Sequence, residues 1–113
     1  MKNIITNAFS LGMVLGNETL RMVEIPVEQA VSIIIEAQVD GEDFVSAVGH
    51  EDTARVFSNL LGQRIEKNRV NVKLGEDFEQ MLVGQLTGGR LPEGATVLPP
   101  DYSIKWFYLT RYI

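Results

Sequence analysis

Hydrophobic positions along the first third of the chain come in short runs separated by polar or glycine-containing breaks. "KNIITNAF", residues 2–9, is rich in β-branched residues and closes on polar Asn7 and small Ala8, which predicts a first strand. "SLGMVLGNE" follows with two glycines and reads as a loop or a short turn of helix. "TLRMVEI" sets Leu20 and Met22 against Arg21, Val23 and Ile25, which suits a second strand. Pro26 then stands where proline is best tolerated, at the first helical position, so "PVEQAV" predicts a short helix.

"SIIIEAQVDGEDFVSAVG" can be read two ways. As helix, its three adjacent isoleucines are poor formers. As strand, Ile33, Ile35, Ala37 and Val39 share one face, Ile34, Glu36 and Gln38 share the other, and Asp40-Gly41 supplies a hairpin turn. The expectation is the hairpin, with "DFVSAV" returning antiparallel. After His50 the pattern is clearer. Ala54, Phe57, Leu60 and Leu61 recur at helical spacing, Glu51 and Asp52 suit the dipole of a first turn, and Gly62 suits a left-handed cap. "KNRVNVKL" and "FEQMLVGQL" predict two strands joined by "GED". "TGGRLPEGATVLPPDY" predicts a long loop, and "SIKWFYLTRYI" a final strand with Trp106 and Tyr108 on one face and Phe107 and Leu109 on the other. Those aromatics suit a buried central strand better than a base-stacking platform, although Trp and Tyr also favour subunit interfaces. Strands and short helices without regular βαβ alternation mean an α+β fold, a mixed sheet flanked by short helices, in one domain over residues 1–113.

Composition narrows the chemistry. The absence of cysteine removes disulfides and thiolate metal sites, and a single histidine leaves a zinc or iron site almost nothing but carboxylates. No metal and no cofactor are therefore expected. No stretch approaches a membrane span, and Thr6, Asn7 and Ser10 interrupt the apolar N-terminal segment, so neither membrane nor export is expected. A net charge of −5 argues against coating duplex nucleic acid. It leaves room for one small anion in a locally positive pocket, because salt screens charges beyond about 8 Å.

His50, the only histidine, stands between a strand-like run and the helix that begins "EDTARVF". Helix N-termini offer free N–H groups to anions, and imidazole exchanges protons near neutral pH. A histidine beside a bound phosphate is equipped to protonate an oxygen leaving group. Arg69 opens the "RVNVKL" segment, and Arg90 lies in a glycine-rich loop where the backbone can approach a ligand and a guanidinium can grip phosphate. Glu93, three residues on, suits orienting Arg90 or handling a proton. Asn7, Ser10 and Gln85, at strand ends or just beyond, suit hydrogen bonds to a ligand at the mouth of the sheet. Each position also has an ordinary explanation: a polar helix cap, a surface charge, a salt bridge, or a side chain bonded to its own turn.

Taken together, "TNAFSLGMV", "VSAVGHEDTARVFSNLLG", "EKNRVNVKL" and "GQLTGGRLPEGATVL" resemble, in order and over nearly the whole chain, the viral ring nuclease family. These are the type III anti-CRISPR proteins, with relatives in archaeal viruses, phages and bacterial mobile elements. The resemblance implies a homodimer that binds cyclic tetra-adenylate, the messenger made when a type III CRISPR complex detects foreign RNA, and cuts it without metal. The ligand's 2′-hydroxyl attacks the adjacent phosphorus, the 5′-oxygen departs, and linear di-adenylates ending in a 2′,3′-cyclic phosphate result. Matched residue by residue, the general acid falls on His50, the transition-state arginine on Arg90 and the associated glutamate on Glu93. Ligand-holding positions fall on Asn7, Ser10, Arg69 and Gln85. The implied setting is the cytoplasm of a prokaryotic or virus-infected cell.

A ring with four-fold repetition contains a two-fold axis, so it can lie on the axis of an isologous dimer and present opposite phosphodiesters to the two copies of His50. "LGMVLGNE" is the candidate lid. The chain departs from the family pattern at Gly12, where some relatives carry a ligand-contacting asparagine, and in a slightly longer loop before Arg90. "VLPPDYSIKW" also puts a proline turn in place of a longer helical insertion. The alternatives are a sponge that holds the same messenger uncut and a non-enzymatic interaction protein.

Overall fold

Five strands form a single mixed sheet: β1 (Asn3–Thr6), β2 (Thr19–Ile25), β3 (Phe44–Ser46), β4 (Gln80–Thr87) and β5 (Ser103–Tyr112), in the order β2-β5-β4-β1-β3. The computed structural model describes residues 3–112; Lys2 and Ile113, expected within the first and last strand segments, lie outside the described residues. β5 runs antiparallel to both β2 and β4, whereas β1 is parallel to β4 and to β3. Two helices, α1 (Val27–Val39) and α2 (Glu51–Leu61), complete an α+β architecture.

Each face of the sheet carries its own half of the core. On one, Ile5, Leu82 and Trp106 pack with Ala30 and Ile34 of α1 and Ala54, Phe57 and Leu61 of α2. On the other, Ile4, Met81, Val83 and Leu109 are covered by Val72, Leu74 and Phe78, with Phe9 and Met13 beside them. The alternation read in the aromatic strand is therefore real: Trp106 and Tyr108 join the first cluster, Phe107 and Leu109 the second. Burial raises the Tyr108 phenol above its ordinary value and the Glu36 carboxylate adds to this. The protonated hydroxyl donates to Gln80 Oε1 at 2.6 Å.

Three expectations are corrected. The isoleucine segment is not a hairpin strand, because α1 continues unbroken to Val39 and Pro26 is its N-cap, one residue before the first helical position. Val27, Ala30, Val31 and Ile34 recur at helical spacing against the core. Fully burying a side chain such as Ile34 is worth about 1.5–3 kcal/mol. That outweighs the several tenths of a kcal/mol that a β-branched residue loses in a helix. Asp40-Gly41 is then not a hairpin turn but the end of α1. Gly41, at φ 75°, donates its N–H to Gln38 O, and Glu42 N–H donates to Ala37 O at 2.7 Å. This is the paired bonding that ends a helix on a left-handed residue. Second, the segment after that turn pairs parallel to β1 instead of returning antiparallel.

Third, "KNRVNVKL" is not a strand. Only isolated bridges link Lys67 to Val48 and Leu74 to Phe78. Its alternating Val72 and Leu74 cover the sheet from outside, while the Leu74 N–H donates to Met13 O and the Lys73 N–H to Asp77 Oδ2. The other elements follow the pattern, including a 3₁₀ turn at Leu11–Met13, and α2 ends at Gly62, whose φ is 65°.

At Gly84 of β4, Phe57 of α2 presses directly on the sheet. A Cβ there would lie 2.5 Å from Phe57 Cζ and 2.8 Å from Trp106 Cζ3. These two rings are packed at a centroid distance of 4.9 Å, so neither can move aside alone. Gly84→Ala is expected to destabilise the fold by about 1–3 kcal/mol, the usual range for overpacking a core, read as a lowered denaturant midpoint.

Candidate active site

The sheet converges on one end of α2. β1 stops at Thr6, whose hydroxyl donates to Ala47 O at 3.3 Å and so ties the strand end to the chain that leads into the helix. One residue on, Asn7 Oδ1 accepts the Gly49 N–H at 3.3 Å. His50 follows as the N-cap of α2, with extended backbone and a carbonyl that accepts the Ala54 N–H at 3.0 Å. Its imidazole makes no capping bond and is exposed. The side chain at the helix start is thus held by its backbone and left free at its ring.

The loop after β4 closes the other side. Gly88 and Gly89, at φ 121° and 99°, turn the chain so that exposed Arg90 and buried Leu91 come over the start of α2. Together these segments enclose a cavity of about 390 Å³ lined by Asn7, His50, Arg90, the first turn of α2, Leu86 and Leu91. Its volume lies in the lower part of the range for small-ligand sites. The lining contains two acids, Glu51 and Asp52, and one arginine, Arg90. Arg55 pairs with both acids, at 3.6 and 3.2 Å, and offsets part of their charge.

The structure brings Asn7, His50 and Arg90 together from three separate segments. Arg69 stands next to them: a Cβ on Gly49 would touch its Cγ at 3.6 Å. Asn68 puts it there, donating its N–H to Val48 O at 2.8 Å and its Nδ2 to Ser46 O at 2.7 Å. Ser10, Gln85 and Glu93 are exposed and do not line the cavity. Gln85 is separated from it by the pleat. Gly84 faces Phe57 and Leu86 lines the cavity, so the residue between them takes the opposite face. A larger cavity, about 490 Å³, opens beside β3 and contains none of the expected site residues.

Sequence reading missed Thr53, Leu86, Leu91 and Asn68. Leu86 was accessible through the alternation Leu82-Gly84-Leu86. Asn68 carried no such signal, because its partners are distant backbone groups. The candidate lid is fastened: Lys73 Nζ donates to Gly12 O at 2.6 Å, and Arg111 holds Glu18 at 3.0 Å. Among the described residues no group of three or more His, Cys, Asp or Glu is arranged to hold a metal ion, and no helix is long and apolar enough to cross a membrane.

Comparison with known proteins shows that the chain is similar to viral proteins. Residues 3–101 match the model of the STIV B116-like family. The chain is 31% identical over 94 residues to uncharacterized protein 26 of Sulfolobus islandicus filamentous virus (isolate Iceland/Hveragerdi), which covers 82% of this chain and 74% of that protein. B116 of Sulfolobus turreted icosahedral virus shares the fold, with a TM-score of 0.77, 24% identity, and coverage of 97% of this chain and 99% of that one.

Proposed function

We propose, from the starting point that this chain belongs to the STIV B116-like family of viral proteins, that it is a metal-independent ring nuclease acting on cyclic tetra-adenylate. The observation that carries the reading is one cavity holding a free imidazole and a guanidinium at a helix N-terminus. The four motifs that resemble viral ring nucleases supply these groups, and they lie wholly within the residues that match the family model.

In this mechanism the phosphodiester sits between His50 and Arg90. The ribose 2′-oxygen attacks phosphorus and the P–O5′ bond breaks. His50 gives its proton to the departing 5′-oxygen, which leaves as a hydroxyl. The 2′-proton passes to solvent, Glu93 standing outside the cavity lining, and a 2′,3′-cyclic phosphate remains. Arg90 stabilises negative charge gathering on the phosphoryl oxygens. The P–O bond formed replaces the P–O bond broken, so the cut consumes no water.

A ring of four nucleotides is too large for a cavity of about 390 Å³. One subunit holds one scissile linkage, and a second copy, related by a two-fold axis, holds the opposite one. Ser10 and Arg69 then contact parts of the ring beyond the cavity, while Gln85, on the opposite face of the sheet, takes no part in holding it. Destroying the messenger in the cytoplasm of an infected cell would silence the type III CRISPR response.

The test is to incubate the protein with labelled cyclic tetra-adenylate in EDTA and resolve the products. The expected outcome is two identical linear di-adenylates per ring, from a species of dimer mass by light scattering. Tight binding without product would make the protein a sponge, no binding would make it an interaction protein, and a fully active monomer would overturn the shared site.

A further inference from the structure

Arg90 is held in an unusual way. Among the described residues its guanidinium has no ion-pair or hydrogen-bond partner, so its placement depends on the backbone that carries it. That backbone follows two glycines with φ of 121° and 99°, a segment with little stiffness of its own. One side chain fixes it from outside. The Tyr102 hydroxyl donates to Arg90 O at 2.8 Å. Tyr102 also packs against Gly88, where a Cβ would meet Tyr102 Cδ2 at 2.9 Å and its Cα at 3.1 Å.

Tyr102 is itself firmly based. Its N–H donates to Pro99 O at 3.1 Å, closing the turn through the two prolines. Proline fixes φ, which stiffens that turn. The next residue, Ser103, opens β5 opposite Thr87, whose hydroxyl donates to Ser103 O at 3.0 Å. A chain of contacts thus runs from the sheet through the proline turn and Tyr102 to the carbonyl of Arg90.

We infer that Tyr102 is a positioning residue for Arg90, acting on the chemical step through the loop and touching no part of the ring. This rests on the reading of Arg90 as the group that stabilises the reacting phosphate. It also gives the proline turn a definite task.

Tyr102→Phe keeps the ring on Gly88 and removes only the hydroxyl. Cyclic tetra-adenylate is the probe. The single-turnover rate is expected to fall about threefold to tenfold, the size of one hydrogen bond expressed as a rate, with the Kd unchanged within about twofold. Combined with Arg90→Ala, the same change should slow the reaction no further, because the residue through which it acts is gone. The Gly89 and Arg90 amides should become more mobile by ¹⁵N relaxation in the single variant, a readout that needs no ligand.

An unchanged rate with unchanged loop mobility, in a wild type that cuts the ring, would overturn this inference and leave the function standing. A weakened Kd with an unchanged rate would reassign Tyr102 to binding and likewise overturn it. If the wild type does not cut, the function fails and the catalytic part of this inference with it. The relaxation comparison would then still show whether Tyr102 holds the loop.

Discussion

Replacing His50 by alanine is expected to leave a folded protein that binds cyclic tetra-adenylate and cuts it about 10²–10⁴-fold more slowly, the range typical of a lost general acid. The fold should survive because the imidazole makes no capping bond, is exposed, and contributes only its backbone carbonyl to α2. Binding should survive because Arg90, Asn7 and the helix N-terminus remain in place. The assignment can be pressed harder by changing the leaving group. A ring whose bridging 5′-oxygens are sulfur expels a thiolate, which needs no proton. His50→Ala should cut that substrate at nearly the wild-type rate. A deficit as large as with the natural ring would mean that His50 works by some route other than protonating the leaving atom.

The helix bearing His50 was legible because everything that defines it is local: Ala54, Phe57, Leu60 and Leu61 at helical spacing, two acids in the first turn, and Gly62 at the end. The isoleucine segment was misread for an equally physical reason. Its period begins at Val27 and Ala30, so a window opening at Ser32 loses half the helical face and keeps only the β-branched run. Asp-Gly does not arbitrate, because a hairpin turn and a helix end both need a residue with positive φ. The strand-like alternation around Val72 and Leu74 describes which side chains are buried. It is silent on backbone partners, and here those are Met13 and Asp77 rather than a neighbouring strand.

The site shows the same division. His50, Arg90 and Asn7 could be chosen by residue type and punctuation. The side of the sheet that Gln85 faces, the fastening of Arg90 by Tyr102 and the placing of Arg69 by Asn68 depend on register and on contacts between distant segments. No local pattern encodes these.

The two arginines near His50 should separate when each is changed to alanine. Arg90 lines the cavity with His50, and in the proposed mechanism it faces oxygens whose charge grows as the bond breaks. Its loss is expected to lower the single-turnover rate about 10²–10³-fold, the usual result of removing one donor from a developing oxyanion, with a smaller effect on Kd. Arg69 is outside that lining, its stem beside Gly49 and its residue exposed. A charge there attracts the ring's phosphates in ground state and transition state alike, so Arg69→Ala should weaken Kd about tenfold and leave the saturated rate nearly intact. Salt supplies an independent check. Attraction of the ring's phosphates from solution is weakened by salt, so the Arg69 effect on Kd should shrink as salt rises. The Arg90 effect is read on the saturated rate, with the phosphate already bound. The opposite split, with Arg69 controlling the rate and Arg90 the affinity, would place the scissile phosphate on the other side of Gly49 and move the reaction out of the cavity that His50 shares with Arg90.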